Sequence, residues 1–114
     1  MLMISMKGTV IQLDSTLYER EIRGFLDSEG KLHSYPARFK KQAFALCYLA
    51  SKFEPGVRYT EKEVNQLLNK WHTFEDWATL RRDLCDRRFL GREPNGSCYW
   101  LEEDQPSLSS LGLE

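Results

Sequence analysis

The stretch that decides the fold spans residues 59–100 and reads YTEKEVNQLLNKWHTFEDWATLRRDLCDRRFLGREPNGSCYW. Thr60 is followed three residues later by Glu63, and this spacing is the signature of a capping box at the start of a helix. Thr73 and Asp76 repeat the spacing, with aspartate in the place of glutamate. The sequence therefore predicts two consecutive helices, each with its own capping residues, joined by a short turn.

Strand signals flank these two helices. Residues 57–59 (VRY) are short and β-prone, and they directly precede the first capping box. Asn95 and Gly96 lie between a run that ends near Glu93 and the run SCYWL, and Asn-Gly in this position indicates a two-residue hairpin turn. The order helix, short strand, helix, helix and hairpin is that of a winged helix-turn-helix. In such modules the last helix lies in the major groove and the hairpin, or wing, contacts the adjacent backbone.

The rest of the chain predicts two more helices and two flanking segments. A first amphipathic helix is expected from Ser15, and a central helix from about Pro36. The apolar stripe of the central helix is expected to be buried and comprises Phe39, Ala43, Leu46, Cys47, Ala50 and Phe53. The predicted fold class is α+β, mainly α: a winged helix-turn-helix over residues 15–101, with an additional N-terminal helix and a C-terminal β-hairpin wing. Residues 1–14 are predicted to form an arm, and residues 102–114 a disordered acidic tail.

Composition limits the classes of function. The chain has 114 residues, with 41% hydrophobic and 29% charged residues, as expected for one globular domain. Its longest apolar run, residues 43–50, is too short to span a bilayer, and the N-terminal residues lack the pattern of a secretion signal, so a cytoplasmic protein without a membrane role is expected. Three cysteines without CxxC spacing argue against a disulfide framework and a zinc site.

The sequence predicts no enzyme. Neither of the two histidines has a nucleophile or a paired acid at motif spacing, and the chain contains no glycine-rich phosphate loop. We therefore predict no catalytic residue, no metal, no cofactor and no small-molecule ligand.

The net charge of the chain is compatible with nucleic-acid binding but does not by itself predict it. The formal net charge is -1 at pH 7, but residues 102–114 contain four acids and no base, so residues 1–101 carry a formal charge of +3. A mildly basic domain is compatible with DNA binding, since nonspecific affinity comes from neutralising phosphates.

The helix expected over residues 74–89 carries the charged residues that bear on function. At about 100° per residue, Arg81 and Arg88 fall within the apolar stripe of this helix. A buried arginine needs a carboxylate, so we predict that Arg81 forms a structural ion pair with Glu61 or Glu63 of the preceding helix; the alternative is a contact with a DNA base or phosphate. On the ion-pair hypothesis, Arg81→Ala lowers the melting temperature by several degrees.

The exposed side of the same helix mixes one base with acids. The residues assigned to this side are Glu75, Thr79, Arg82, Asp83 and Asp86. Three carboxylates beside one arginine would weaken binding to phosphates. The candidates for DNA contact are Thr79, Arg82 and Arg87 on the helix and Arg92 and Asn95 on the wing. For each arginine the alternative is an ordinary solvated side chain.

Several blocks of the sequence carry a family resemblance. LHSYPARFKK, FEPGVRYTEKEVNQLL, DWATLRRDLCDRRFLGRE and GSCYW, in this order over residues 25–101, resemble the bacterial family called domain of unknown function 2087. The resemblance implies a winged-helix-like domain of bacterial transcription regulators, which occurs alone or fused to an ArsR-type DNA-binding domain. It implies no catalytic or binding residues.

Two functions remain open at this point. The first is a bacterial transcription regulator whose fourth helix and wing contact double-stranded DNA, as a homodimer or beside another DNA-binding domain. The second is a winged helix for protein–protein interaction or dimerisation without DNA affinity, as relatives whose partner domain already reads DNA would suggest. Steep salt dependence of DNA binding would distinguish the first from the second.

Overall fold

The structure is a computed structural model, and it describes residues 15–107 and Leu111. Across these residues the fold is a mixed α/β arrangement dominated by helices, with four α-helices and one small antiparallel sheet of three strands. The elements are α1 (Ser15–Glu21), a 3-10 helix (Arg23–Phe25), α2 (Phe39–Ala50), β1 (Arg58–Tyr59), α3 (Glu61–Trp71), α4 (Trp77–Asp86), β2 (Leu90–Arg92) and β3 (Tyr99–Leu101). The predicted arm, residues 1–14, lies outside the described residues, and so do residues 108–110 and 112–114 of the predicted tail.

The capping box at the start of α3 is confirmed. The Thr60 hydroxyl accepts a hydrogen bond from the backbone N–H of Glu63 at 3.1 Å, and the Glu63 carboxylate accepts one from the backbone N–H of Thr60 at 2.9 Å. These bonds satisfy two donors at the end of a helix that have no intrahelical partner. The sequence pattern was sufficient here because every partner lies within four residues.

The second capping box is wrong, and α4 is shorter than predicted at both ends. Asp76 occupies the N-cap position without a side-chain capping bond, and Glu75 has a φ of 55°, outside the helical region. The backbone N–H of Asp76 instead donates to Nε2 of buried His72 at 2.9 Å. At the other end Arg88 has a φ of 69°, so the helix stops at Asp86. A histidine four residues before Asp76 and two left-handed residues thus set the length of α4, and the capping-box spacing does not reveal them.

The predicted hairpin is confirmed, but its two-residue turn is wrong. Arg92 of β2 pairs with Tyr99 of β3, and the sheet order is β1-β3-β2, with every pair antiparallel. The backbone N–H of Gly96 donates to the Glu93 carbonyl at 2.9 Å, so the turn begins one residue earlier than Asn-Gly spacing implies. Pro94 accounts for the shift, because its fixed φ suits the second position of an ordinary turn, and Gly96 then takes the left-handed conformation at φ 75°.

The core lies between α2, the paired helices α3 and α4, and the sheet. Every residue of α2 from Ala43 to Ala50 is buried, which confirms that this helix is central. Val64 and Leu68 of α3 and Leu80 and Leu84 of α4 are fully buried in the same core cluster. Phe39 is a correction to the predicted stripe: it is 62% exposed, because α2 begins there and its first turn extends beyond the neighbouring elements.

The segments on either side of this core are tied to it by backbone hydrogen bonds. Leu32 donates to the Trp71 carbonyl at 2.8 Å and accepts from the Thr73 N–H at 3.0 Å, so the chain before α2 braces the turn between α3 and α4. After β3, the Glu102 N–H donates to the Phe89 carbonyl at 3.0 Å, and Leu111 is 5% exposed. The division into arm, domain and tail stays a prediction. Within the described part of the chain, no helix combines the length and apolar character needed to cross a membrane.

Candidate functional site

An open cleft of about 350 Å³ lies between α4 and the β2–β3 hairpin. Its lining contains three of the five residues predicted to contact DNA: Arg82, Arg92 and Asn95. The other lining residues are Glu61, Ala78, Arg81, Cys85, Asp86, Gly96 and Tyr99. Three arginines and two carboxylates therefore face this cleft, which gives it a small excess of positive charge.

The exposed residues of α4 all lie on one side of the cleft. They are Ala78, Arg82 and Asp86, which are spaced four residues apart and form a single ridge along the helix. The buried residues Leu80 and Leu84 hold the opposite side of α4 against the core. The helix therefore presents one narrow polar ridge to solvent.

Arg81 forms the floor of the cleft and links three elements. Its guanidinium donates a hydrogen bond to the Asn65 side-chain carbonyl of α3, and its Nη2 lies 3.9 Å from Glu61 Oε2. Glu61 also accepts a hydrogen bond from the Tyr99 hydroxyl of β3 at 3.2 Å. Of the two acids predicted as partners, the structure brings Glu61 to Arg81, whereas Glu63 serves the capping box.

Sequence reasoning missed Asn65 in this network. Asn65 and Glu61 are four residues apart on α3, so they share a face of that helix, and this spacing was the only local signal. The register between α3 and α4, which the turn at His72 sets, decides that Asn65 meets Arg81.

The three acids predicted to share the exposed side of α4 do not act together. Glu75 precedes the helix, and Asp83 is half-buried and accepts a hydrogen bond from the Tyr35 hydroxyl at 2.7 Å. Burial, together with this carboxylate, raises the pKa of Tyr35 well above its ordinary value, so the phenol stays protonated and donates. Asp86 is the one acid left on the exposed ridge of α4.

The hairpin loop holds Arg92 and Asn95 in defined positions. Arg92 donates to the carbonyls of Glu93 at 3.2 Å and Pro94 at 3.1 Å, and Asn95 Oδ1 accepts from the Ser97 N–H at 3.0 Å. These local bonds shape the loop, and both residues stay exposed at the rim of the cleft.

Arg87 and Thr79 lie away from the cleft. Arg87 donates to the Gln42 side chain at 2.9 Å and to the Phe39 carbonyl at 3.3 Å, and its guanidinium stacks on the Phe39 ring at 3.8 Å. Thr79 is half-buried and does not line the cleft. Arg88, predicted to face the core or its rim, is exposed, because its left-handed backbone ends the helix before its side chain reaches the stripe.

The opposite face of the sheet carries a second aromatic and basic cluster. Trp100 lies over Gly91, and the Arg58 guanidinium stacks on its ring at 4.7 Å. Arg58 Nε also donates to Cys98 Sγ at 3.1 Å and pairs with Glu93 at 3.3 Å. This cluster fastens β1 to the hairpin, so it supports the position of the hairpin beside β1.

The described residues show no metal centre. None of them form a group of three or more His, Cys, Asp and Glu side chains that could hold an ion. Burial raises the pKa of the Cys47 thiol to about 12 and also raises the pKa of Cys85, so both thiols stay protonated at neutral pH. Their environment is that of small apolar side chains.

Comparison with known proteins provides one match. Searches of curated proteins and of solved structures found none. A family model described as "Uncharacterized protein conserved in bacteria (DUF2087)" matches residues 31–101, which contain α2, α3, α4 and the whole sheet. The match covers more than half of the chain and includes the cleft between α4 and the hairpin. The chain therefore belongs to this bacterial family.

Proposed function

We propose that this chain is a winged-helix module of a bacterial transcription regulator that binds double-stranded DNA through α4 and the β2–β3 hairpin. The proposed role is non-enzymatic, and it would be exercised in the cytoplasm, where bacterial DNA lies. The observation that carries the proposal is the cleft itself: Arg82 on the helix and Arg92 and Asn95 on the hairpin line one open surface.

The order of the elements supports the winged-helix assignment. A helix, a short strand, two helices and a hairpin follow one another in α2, β1, α3, α4 and β2–β3, and β1 joins the sheet beside β3. In winged helices the second helix of the helix-turn-helix enters the major groove while the wing contacts backbone. On this assignment α4 is the recognition helix and residues 93–98 form the wing.

The charges on the cleft support a modest affinity. Asp83 is engaged by Tyr35, so α4 exposes one arginine and one acid on its ridge, and the hairpin adds Arg92. Each phosphate neutralised lowers the slope of log K against log[salt] by about 0.9. Few such contacts predict weak binding to random DNA and a shallow salt slope, about 0.9 in magnitude for each phosphate contacted.

Fluorescence anisotropy of a labelled random duplex, titrated with the protein at low and at physiological salt, tests the proposal. We expect measurable binding at low salt that weakens as salt is added, with the slope that a few phosphate contacts give. Arg92→Ala should weaken binding and reduce the salt slope by about one, because it removes a phosphate contact. Arg82→Ala should also weaken binding.

Arg23→Ala is the matched control, because it removes the same charge from an exposed position on the 3-10 helix, away from the cleft. Equal loss in all three variants would indicate only a general effect of net charge. The absence of binding by the unmodified protein at low salt would refute DNA binding.

One observation favours the second candidate function, a protein-contact or dimerisation module. Phe39 is 62% exposed, and a cleft of about 330 Å³ beside it is lined by Arg87, Pro106 and Leu111 among others. Exposed aromatic side chains beside arginine are typical of interface centres. A protein without DNA affinity whose apparent mass in sedimentation falls on Phe39→Ser substitution would support this function over the first.

A further inference from the structure

The charged residues of the α4 segment divide into two groups according to whether they already have partners. Arg81 is bonded to Asn65, Asp83 accepts from Tyr35, and Arg87 is held by Gln42. These three side chains are therefore committed to the fold. Each would have to break an existing hydrogen bond before it could contact a ligand.

Arg82 and Asp86 form the other group. Both are exposed, and neither side chain makes a hydrogen bond or ion pair with another residue in the part of the chain that the structure describes. They are four residues apart on the ridge that lines the cleft, with Ala78 one further turn toward the start of α4. Their polar groups are thus available along one line, on the side of α4 opposite the core.

We infer that Arg82 and Asp86 are the specificity-determining residues of the cleft and select DNA sites with two G·C base pairs close together. This inference rests on the proposed function. Arginine pairs bidentately with O6 and N7 of guanine, and aspartate accepts a hydrogen bond from N4 of cytosine; both groups lie in the major groove. Ala78 has the small apolar side chain that suits contact with a thymine methyl group.

The geometry of the helix sets the spacing of the two base pairs. Four residues of α-helix span about 6 Å, and base pairs of DNA are stacked about 3.4 Å apart. Arg82 and Asp86 therefore reach base pairs that are about two steps apart when α4 lies along the groove. Asp86 weakens nonspecific binding, because its carboxylate faces phosphates without compensation, and it favours the sites in which a cytosine amino group satisfies it.

The test is selection of tight-binding duplexes from a pool with a randomised central segment, with the full chain at low salt. The selected duplex is then compared with two derivatives in which one of the two preferred G·C pairs is replaced by A·T. We expect the unmodified protein to bind each derivative about tenfold or more weakly, within the range that a good base contact supplies.

Substitution at each position should abolish one of these preferences and leave the other. Arg82→Ala should bind the selected duplex and one derivative equally. Asp86→Ala should bind the selected duplex and the other derivative equally. It should also bind an unrelated duplex at least as tightly as the unmodified protein does. Glu103→Ala is the matched control, because it removes an exposed carboxylate on another face of the protein and should keep both preferences.

The outcomes separate this inference from the proposed function. A pool that binds without sequence preference, or preferences that survive in both Arg82→Ala and Asp86→Ala, would overturn the inference and leave DNA binding intact. A pool that does not bind at low salt would overturn DNA binding itself, and the inference with it. Melting temperatures within about 2 °C of the unmodified protein are expected for both exposed-site variants, since surface substitutions cost little.

Discussion

Replacement of Arg81 by alanine should be far more damaging than replacement of its neighbour Arg82. The Arg81 side chain is 20% exposed, donates to Asn65 and lies 3.9 Å from Glu61, whereas Arg82 is exposed and has no such partner among the described residues. A hydrogen bond that involves a charged group contributes about 1.5–3 kcal/mol. The pair with Glu61, a carboxylate that is 51% exposed, adds roughly 0.5 kcal/mol or less.

These contributions predict a loss of about 2–3 kcal/mol for Arg81→Ala. For a domain of this size 1 kcal/mol corresponds to about 4 °C, so the melting temperature should fall by roughly 8–12 °C. Arg82→Ala removes the same atoms one residue away, and its melting temperature should fall by less than about 2 °C. Thermal unfolding followed by circular dichroism at one pH and salt concentration compares the two.

A double-mutant cycle with Asn65→Ala identifies the bond responsible. The coupling free energy between Arg81 and Asn65 should be about 1 kcal/mol or more, and the coupling between Arg81 and Glu61 should be smaller. Equal melting temperatures for Arg81→Ala and Arg82→Ala, or no coupling with Asn65, would refute this account of the floor of the cleft.

Three further predictions concern the scaffold around the cleft. His72→Ala should destabilise the protein by about 1–3 kcal/mol in urea unfolding, because the Asp76 N–H loses its acceptor; unchanged stability would contradict the bond. Gly91→Ala should lower the free energy of unfolding by about 1–3 kcal/mol in the same assay, since the new Cβ would lie 2.5 Å from Trp100 Cε2. When Trp100→Ala is already present, Gly91→Ala should lose most of this effect. Backbone N–H groups hold the pKa of Asp27 below its ordinary value of 3.8, so its contribution is present above that pH and is lost as pH falls through the lower folded-state pKa. Asp27→Asn should therefore melt with a weaker pH dependence between about pH 2 and 5 than the unmodified protein, and an identical pH profile would argue against this role.

Local patterns predicted the elements that depend on local contacts. The box at Thr60 and Glu63 predicted the start of α3, since both partners lie in one turn of chain. The apolar run from Ala43 to Ala50 predicted a central helix, and the strand signals around Asn95 and Gly96 predicted the hairpin. The resemblance to the bacterial family was likewise a property of ordered sequence blocks, and the family match confirms it.

The candidate site was predicted only in part, because its makeup depends on partners far apart in the chain. Sequence spacing did not distinguish Asp83 and Arg87 from Arg82, since all three are charged residues of one predicted helix. In the structure Tyr35 engages Asp83 and Gln42 engages Arg87 across 48 and 45 residues. No local rule assigns such contacts, since they follow from how α2 and the segment before it pack against α4.

By itself, then, the sequence determined which segments become helices and strands and where the charged residues of α4 stand along the chain. The spacing rules missed the ends of α4, which depend on the bond from Asp76 to His72 and on the left-handed residues Glu75 and Arg88. Tertiary structure alone decided which charged residues of the α4 segment have partners, through Tyr35 at Asp83 and Gln42 at Arg87. It also decided that the side chains of Arg82 and Asp86 line the cleft, whereas their charged neighbours make long-range hydrogen bonds within the protein. Helical periodicity predicts the direction in which a side chain points, and only tertiary packing determines whether a hydrogen-bonding partner lies within its reach.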